Sequence, residues 1–194
     1  MYTQFTKHQL TCYMEKLANL SVYLSNPRIS LNEKLLKICM TVKSAIPNCD
    51  RVGIWLFFVE HTEMVSLMCV DELGRKSNGE QLLASDYQDY FAHIIEHEFL
   101  VASDARNNDI AKCFNQGYFD VHNIHSLLDV TFKKDYIPLG IICCERTASK
   151  IDWQPVDIQT LKSISAKASL FISNNISDLY SAESKNNLIK LLKS

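Results

Sequence analysis

The sequence predicts an α+β domain in which one antiparallel sheet carries helices. Two runs, Arg51 to Glu60 (RVGIWLFFVE) and Ile137 to Cys144 (IPLGIICC), are apolar on both alternating faces and rich in β-formers, as central strands covered on both sides must be. Between Ser126 and Phe132, Leu128, Val130 and Phe132 alternate with Leu127, Asp129 and Thr131, a period of two with unlike faces. Apolar stripes at helical spacing stand near both ends of the chain.

Length and composition bound the alternatives. At 194 residues and 22.2 kDa the chain has room for one ordinary domain with helical extensions. Its 47% hydrophobic and 22% charged content is that of a globular protein and excludes a disordered chain. A net charge of -2 without a Lys/Arg cluster argues against nucleic acid as a partner. The opening MYTQFTKHQLTC lacks the apolar core of a signal peptide and no run reaches the length of a membrane span, so a cytoplasmic protein with no membrane partner is expected. Seven cysteines, at 12, 39, 49, 69, 113, 143 and 144, are odd in number and form no CxxC pair, which reads as free, buried thiols.

From Gln4 to Leu24 the residues Leu10, Tyr13, Met14, Leu17, Leu20 and Leu24 form one helical stripe, ended by Asn26 and Pro27. Ser30 and Glu33 make a capping-box pattern for a second helix through Leu35, Ile38, Val42 and Ile46. After the strand at Arg51 to Glu60, a turn at His61 to Glu63 leads to an antiparallel partner expected from Met64 to Leu73, then a polar loop, GRKSNG. Ser85 and Gln88 form another capping-box pattern before a helix whose inner face carries Tyr87, Tyr90, Phe91 and Ile94. A short strand, Phe99 to Ala102, follows, then a polar segment and a short helix near Ile110 to Tyr118. The hairpin from Ser126 to Arg146 turns on Lys133 to Asp135, and Gly140 marks a close approach of backbone or ligand. Pro155 opens a long exit helix lined by Val156, Ile158, Leu161, Ile164, Ala168, Phe171 and Ile172, expected to run on to the C-terminus.

This order of elements, with RVGIWLFF, VASDAR, SLLDVTF, PLGIICCE and a W-x-P before the last helix, resembles the GAF domain family over roughly Leu31 to Ser173. The resemblance implies terminal helices on one face of the sheet and a ligand pocket closed by the middle segments on the other. It divides the chain into a helical extension at 1–30, a GAF-like domain at 31–173 and a second extension at 174–194 for signalling or dimerisation. The nearest likeness is to the GAF domains at the front of bacterial sensor kinases and diguanylate cyclases, which implies a regulatory input module and no enzyme. No kinase or cyclase segment follows, so the resemblance implies a stand-alone domain or one separated from its output domain. Cyclic-nucleotide binders of the family carry an Asn-Lys pair, a Phe and an Asp-Glu near the exit helix. Here Arg146, Thr147, Trp153, and Asp157 before Ile158 stand instead, and no bilin-type cysteine and histidine arrangement is present.

Three other constellations carry residue types that could do chemistry. His93, Glu96 and His97 spell HxxEH, but with Tyr90 and Ile94 facing inward His93 falls on the outer side of the helix, and a catalytic zinc needs a third ligand in a concave site. His122, His125 and Cys113 lack an assignable second shell, so no metal is expected. Cys143 and Cys144, adjacent on a strand, must point to opposite faces, and their apolar setting suits structural thiols.

The candidate pocket is Tyr90, Phe91, Asp104, Arg106, Phe119, Ser126, Asp129, Cys144, Glu145 and Trp153: aromatic walls with a few polar anchors. Asp104 and Arg106 either tie down the loop that bears them, the favoured reading, or meet an anionic ligand. The expected function is a bacterial sensory domain that takes an unidentified small molecule or partner and acts as a homodimer through its terminal helices. The alternatives are a ligand-free dimerisation module and a thiol- or metal-dependent enzyme. The residues name no cofactor.

Overall fold

The computed structural model describes residues 7–176 apart from Val59. Two helices, α1 (Lys7–Ser25) and α2 (Leu31–Ala45), precede strands β1 (Arg51–Phe58), β2 (Glu63–Val70), β3 (Lys76–Ser77) and β4 (Gln81–Leu83). Helix α3 (Gln88–His97) and β5 (Phe99–Ala102) lead into a crossover of three tight turns: a 3-10 turn (Ala111–Phe114), a π-helical turn (Asn115–Phe119) and α4 (Asp120–His122). Strands β6 (Ile124–Lys134) and β7 (Ile137–Thr147) form the long hairpin, and α5 (Pro155–Ile176) follows it. The strands pair antiparallel in the order β3-β2-β1-β7-β6-β5, with β4 on β2.

The two predicted faces are distinct in the burial pattern. Val52, Ile54, Leu56 and Phe58 of β1 and Leu128, Val130 and Phe132 of β6 pack against α1, α2 and α5 through Leu20, Leu35, Ile38, Leu161, Ile164 and Ile172. The alternate residues Trp55, Phe57, Leu127, Ile141 and Cys143 face α3 and the crossover. Helix α1 shares the core of α2 and α5 through Leu17, Leu20 and Leu24, so it is packed into the domain. Ser30 caps α2 as its sequence predicts: its Oγ accepts from Glu33 N at 3.3 Å, and Glu33 Oε2 accepts from Ser30 N at 2.9 Å.

Three expectations change. Strand β2 stops at Val70 rather than Leu73, because Asp71 Oδ1 accepts from Leu73 N at 2.9 Å and Arg75 N at 2.8 Å and turns the chain. The chain after that turn supplies two short strands, β3 and β4, where only loop was expected. Ser85 does not cap α3: its hydroxyl bonds Asp86 at 3.1 Å, and the helix begins after Tyr87 with no side-chain cap. The expected helix starting at Gln4 and the extension beyond Ile176 lie partly or wholly outside the described residues.

At Gly140 the close approach is made by backbone. A Cβ there would stand 2.0 Å from the Trp55 carbonyl oxygen and 2.5 Å from Phe132 Cζ, so β1 and β7 can pair here only without a side chain. Gly140→Ala is therefore expected to cost about 1–3 kcal/mol or more, as other overpacking substitutions do. Urea unfolding of both proteins measures it, and an unchanged midpoint would show that β1 and β7 tolerate a methyl at this crossing.

Candidate functional site

Paired residues of adjacent antiparallel strands point to the same side, so the register shows what the floor of the site is made of. One row runs Cys69, Gly53, Cys143, Asp129, Leu100 across β2, β1, β7, β6 and β5, and the pocket-side rows flanking it are Arg51, Glu145, Leu127 and Trp55, Ile141, Thr131. A Cβ on Gly53 would lie 2.7 Å from Cys143 Sγ and 2.8 Å from Trp55 Nε1. Its absence lets the thiol and the indole lie side by side on the floor.

The roof comes from α3 and the crossover. In the π-helical turn, closure from residue i to i+5 widens the coil, so Phe114, Tyr118 and Phe119, four and five apart, all turn inward. Phe114 stacks on Tyr87 with ring centres 4.6 Å apart and meets Tyr90 edge-on at 4.7 Å. Between floor and roof lies a cavity of about 20 Å³, lined by Trp55, Met64, Leu82, Tyr90, Phe114, Tyr118, Phe119, Leu127, Asp129, Ile141, Cys143 and Glu145. That volume holds about one water.

Two carboxyl groups stand in this apolar shell, and each receives a tyrosine. Tyr118 donates to Glu145 Oε1 at 2.8 Å, and Arg51 Nε donates to Glu145 Oε2 at 2.8 Å in a pair that is almost wholly buried. Burial works against the Arg51 cation, but Glu145 outweighs it and holds the guanidinium firmly charged. Tyr90 donates to Asp129 Oδ2 at 2.6 Å, while Asp129 Oδ1, equally buried, has no hydrogen-bond partner among the described residues. Burial pushes the Asp129 carboxyl up to about 8; the Tyr90 hydrogen bond opposes the shift and the Glu145 charge adds to it. Asp129 is therefore mostly neutral at pH 7. Burial and then the Glu145 charge also push the Cys143 thiol up, the reverse of what a nucleophilic thiolate requires.

The ten sequence-predicted residues divide. Tyr90, Phe119, Asp129 and Glu145 come together on the cavity. Phe91 is buried in the same apolar cluster but packs on Phe57, ring centres 5.8 Å apart, outside the lining. Asp104 pairs with Lys150 and accepts from Asn107 Nδ2 at 2.9 Å. Arg106 spans the crossover, donating to Ile124 O at 2.8 Å, Phe119 O at 3.0 Å and Asp120 Oδ1 at 2.5 Å. Both act as ties for the roof, away from the cavity wall.

Ser126, Cys144 and Trp153 do not reach the cavity. Ser126 Oγ donates to Ser103 O at 2.6 Å and accepts from Ile151 N at 2.9 Å, joining the ends of three segments. Cys144 pairs with Val52 and Trp153 lies before α5, and both side chains belong to the helix-side core. The thiol on the cavity is that of Cys143.

Trp55, Met64, Leu82, Phe114, Tyr118, Leu127 and Ile141 were missed as lining residues. The only sequence signal for the first was its alternation with Ile54 and Leu56, and for Tyr118 its adjacency to Phe119. Of the other constellations, His97 is exposed, the His93 and His97 rings lie 4.5 Å apart, and no group of three or more metal-ligating side chains occurs among the described residues.

The Asp129 carboxyl gives a pH signature. With a folded value of about 8 and an unfolded value near 3.9, the folded state holds the extra proton between those limits, so stability falls as pH rises from about 4 to about 8, by at most ~1.4 kcal/mol per pH unit. Asp129→Asn should flatten that slope. Denaturant unfolding of both proteins from pH 4.5 to 8.5 checks it, and parallel curves would place the Asp129 titration elsewhere.

Comparison with known proteins agrees with this architecture. The chain has no match among curated proteins. In structure it is similar to the GAF domain of an Acinetobacter phosphoenolpyruvate-protein phosphotransferase, at 14% identity and a TM-score of 0.65, over 90% of this chain and 99% of that one. The corresponding Coxiella burnetii domain matches at 13% identity and a TM-score of 0.64, over 86% and 97%. The photosensory core module of a Stigmatella aurantiaca phytochrome matches at 11% identity and a TM-score of 0.68, over 91% of this chain and 39% of the longer one. The sequence profile of the GAF domain matches residues 32–172. Sheet order, helix placement and profile together make this chain a member of the GAF domain family.

Proposed function

We propose that this chain is a cytoplasmic bacterial sensory module in which a small molecule, held between the sheet and the crossover, biases the packing of the terminal helices. The observation that carries this reading is the aromatic cavity lined by Asp129, a buried carboxyl whose Oδ1 has no hydrogen-bond partner among the described residues. A buried polar atom left unsatisfied costs roughly 1–3 kcal/mol, which a hydrogen-bonding group of a ligand would recover. Structural similarity to a phytochrome photosensory core module, together with membership of the GAF domain family, supports the sensory role. No helix among the described residues is long and apolar enough to cross a membrane.

The route from cavity to helices is short. On β6, Leu127 and Asp129 line the cavity while Leu128, Val130 and Phe132 between and beyond them pack on the helix side. At the end of the same strand Lys133 N donates to Ser169 Oγ of α5 at 2.9 Å. A ligand that prefers one arrangement of β6 shifts α5 by its differential affinity for the two states. The other arrangement is a module that pairs with a second copy through α1 and α5, favoured by Met14, Val22 and Leu170, which stand 57%, 70% and 71% exposed.

Native mass spectrometry of freshly purified protein, followed by thermal unfolding with any co-purified molecule, tests the sensory reading. A ligand at a hundredfold excess over its Kd is expected to add about 2.7 kcal/mol and to change hydrogen exchange in residues 155–176 as well as at the cavity. No bound molecule and no stabilisation by any compound tested would refute it. Light scattering checks the pairing: a monomer at high concentration removes the role for α1 and α5 in self-association.

A further inference from the structure

Resting on the reading of this cavity as a ligand site, we propose that its occupant is a compact planar cation bearing N–H donors, of amidinium, guanidinium or protonated heteroaromatic type. Asp129 anchors it, and the site rejects anions.

The charge inventory of the lining leads there. Among its residues are two carboxyl groups and no Lys, Arg or His. The nearby cation, Arg51, is engaged by Glu145, whose two oxygens are taken by Tyr118 and by Arg51 itself. His122 stands behind Tyr118, ring centres 4.8 Å apart, and 4.0 Å from Glu80. A phosphate or carboxylate placed in the cavity would find no free positive partner, because the Arg51 charge is already balanced by Glu145, and a buried charge without a partner is costly.

A cation meets the opposite conditions. Asp129 is 1% exposed and lines the cavity, and its Oδ1 has no hydrogen-bond partner among the described residues. A bound N–H would satisfy that oxygen and balance the charge left when the carboxyl gives up its proton. Trp55, Tyr90, Phe114, Tyr118 and Phe119 supply ring faces and edges around the same space, and aromatic faces attract cations most strongly where water is excluded. Since the cavity as it stands holds about one water, the occupant must be flat and must displace the Phe114 to Phe119 roof. Arg106 ties the segment at Phe119 and, through its carbonyl, at Asn115 Nδ2 (2.9 Å), and Tyr118 ties it to Glu145 at 2.8 Å, a bond that displacement of the roof must break or carry along.

Binding must also be coupled to a proton. The ionisable groups that face Asp129 are Tyr90 from α3, Cys143 and Glu145 from β7, and beyond them Tyr118 and Arg51. Of these, Asp129 is the group raised to about 8, so a cation that needs it ionised releases a proton on binding below that pH.

Three probes of one shape but different charge test the proposal on the full chain: benzamidine, benzamide and benzoate, followed by calorimetry and by the Trp55 indole resonance. Benzamidine is expected to bind, benzamide more weakly and benzoate not at all, with benzamidine affinity rising by up to about tenfold per unit from pH 6 to 8. Asp129→Asn, verified as folded by its unfolding transition, should weaken benzamidine by about tenfold or more while leaving benzamide within about threefold. Benzoate binding as tightly as benzamidine, or an Asp129→Asn protein that keeps full benzamidine affinity, overturns the cation assignment and leaves the sensory reading standing. No response to any of the three also overturns the assignment. If native mass spectrometry then finds no bound molecule either, the sensory reading falls with it.

Discussion

The buried pair between Arg51 and Glu145 is the interaction on which the rest of the site depends. The two residues are 94 apart in sequence and directly opposite on the neighbouring central strands β1 and β7. A lone buried charge in such a place would cost several kcal/mol, so neither residue is tenable without the other. Their pairing fixes the register that brings Gly53 beside Cys143 and Trp55 beside Ile141, and it holds Glu145 in place to receive Tyr118. The crossover is thereby tied to the sheet from the inside by Tyr118 and from the outside by Arg106.

Asp129 is the contrasting case. It has the same carboxyl chemistry and similar burial, but its one partner is a neutral tyrosine. Burial therefore drives it toward the neutral form, whereas Glu145 has a cation beside it. A fold that pairs one acid and leaves the other half-satisfied keeps a destabilised group at the centre of its cavity. Such strain is tolerated where a ligand or a proton can relieve it.

The sheet separates two apolar layers that communicate only through it. On β6 the two layers share one strand, with Leu127 and Asp129 on the cavity side and Leu128, Val130 and Phe132 on the helix side. The roof has a different character: three short turns of three different helical types, packed on the sheet through Phe114, Tyr118 and Phe119 and tied by Tyr118 and Arg106. Elements of that kind open at lower free energy than central strands.

The strands of the long hairpin, the two-faced alternation around Asp129, the capped α2 and the exit helix were legible in the sequence, because periods of 2 and 3.6 are local properties of the chain. So were four of the residues that meet in the cavity: Tyr90, Phe119, Asp129 and Glu145. The sequence could say that Cys143 and Cys144 face opposite ways, but not which one faces the cavity, since that depends on the register set by distant Gly53 and Arg51. Nor could it show that Glu145 is paired or that a π-helical turn brings Tyr118 and Phe119 inward together. It offered Trp153 as an aromatic wall and Ser126 as part of the candidate pocket, and packing of the segment before α5 put them elsewhere. Alternation thus determined the two faces, while long-range register, which no local pattern encodes, decided which residues share the cavity and which charge is balanced there.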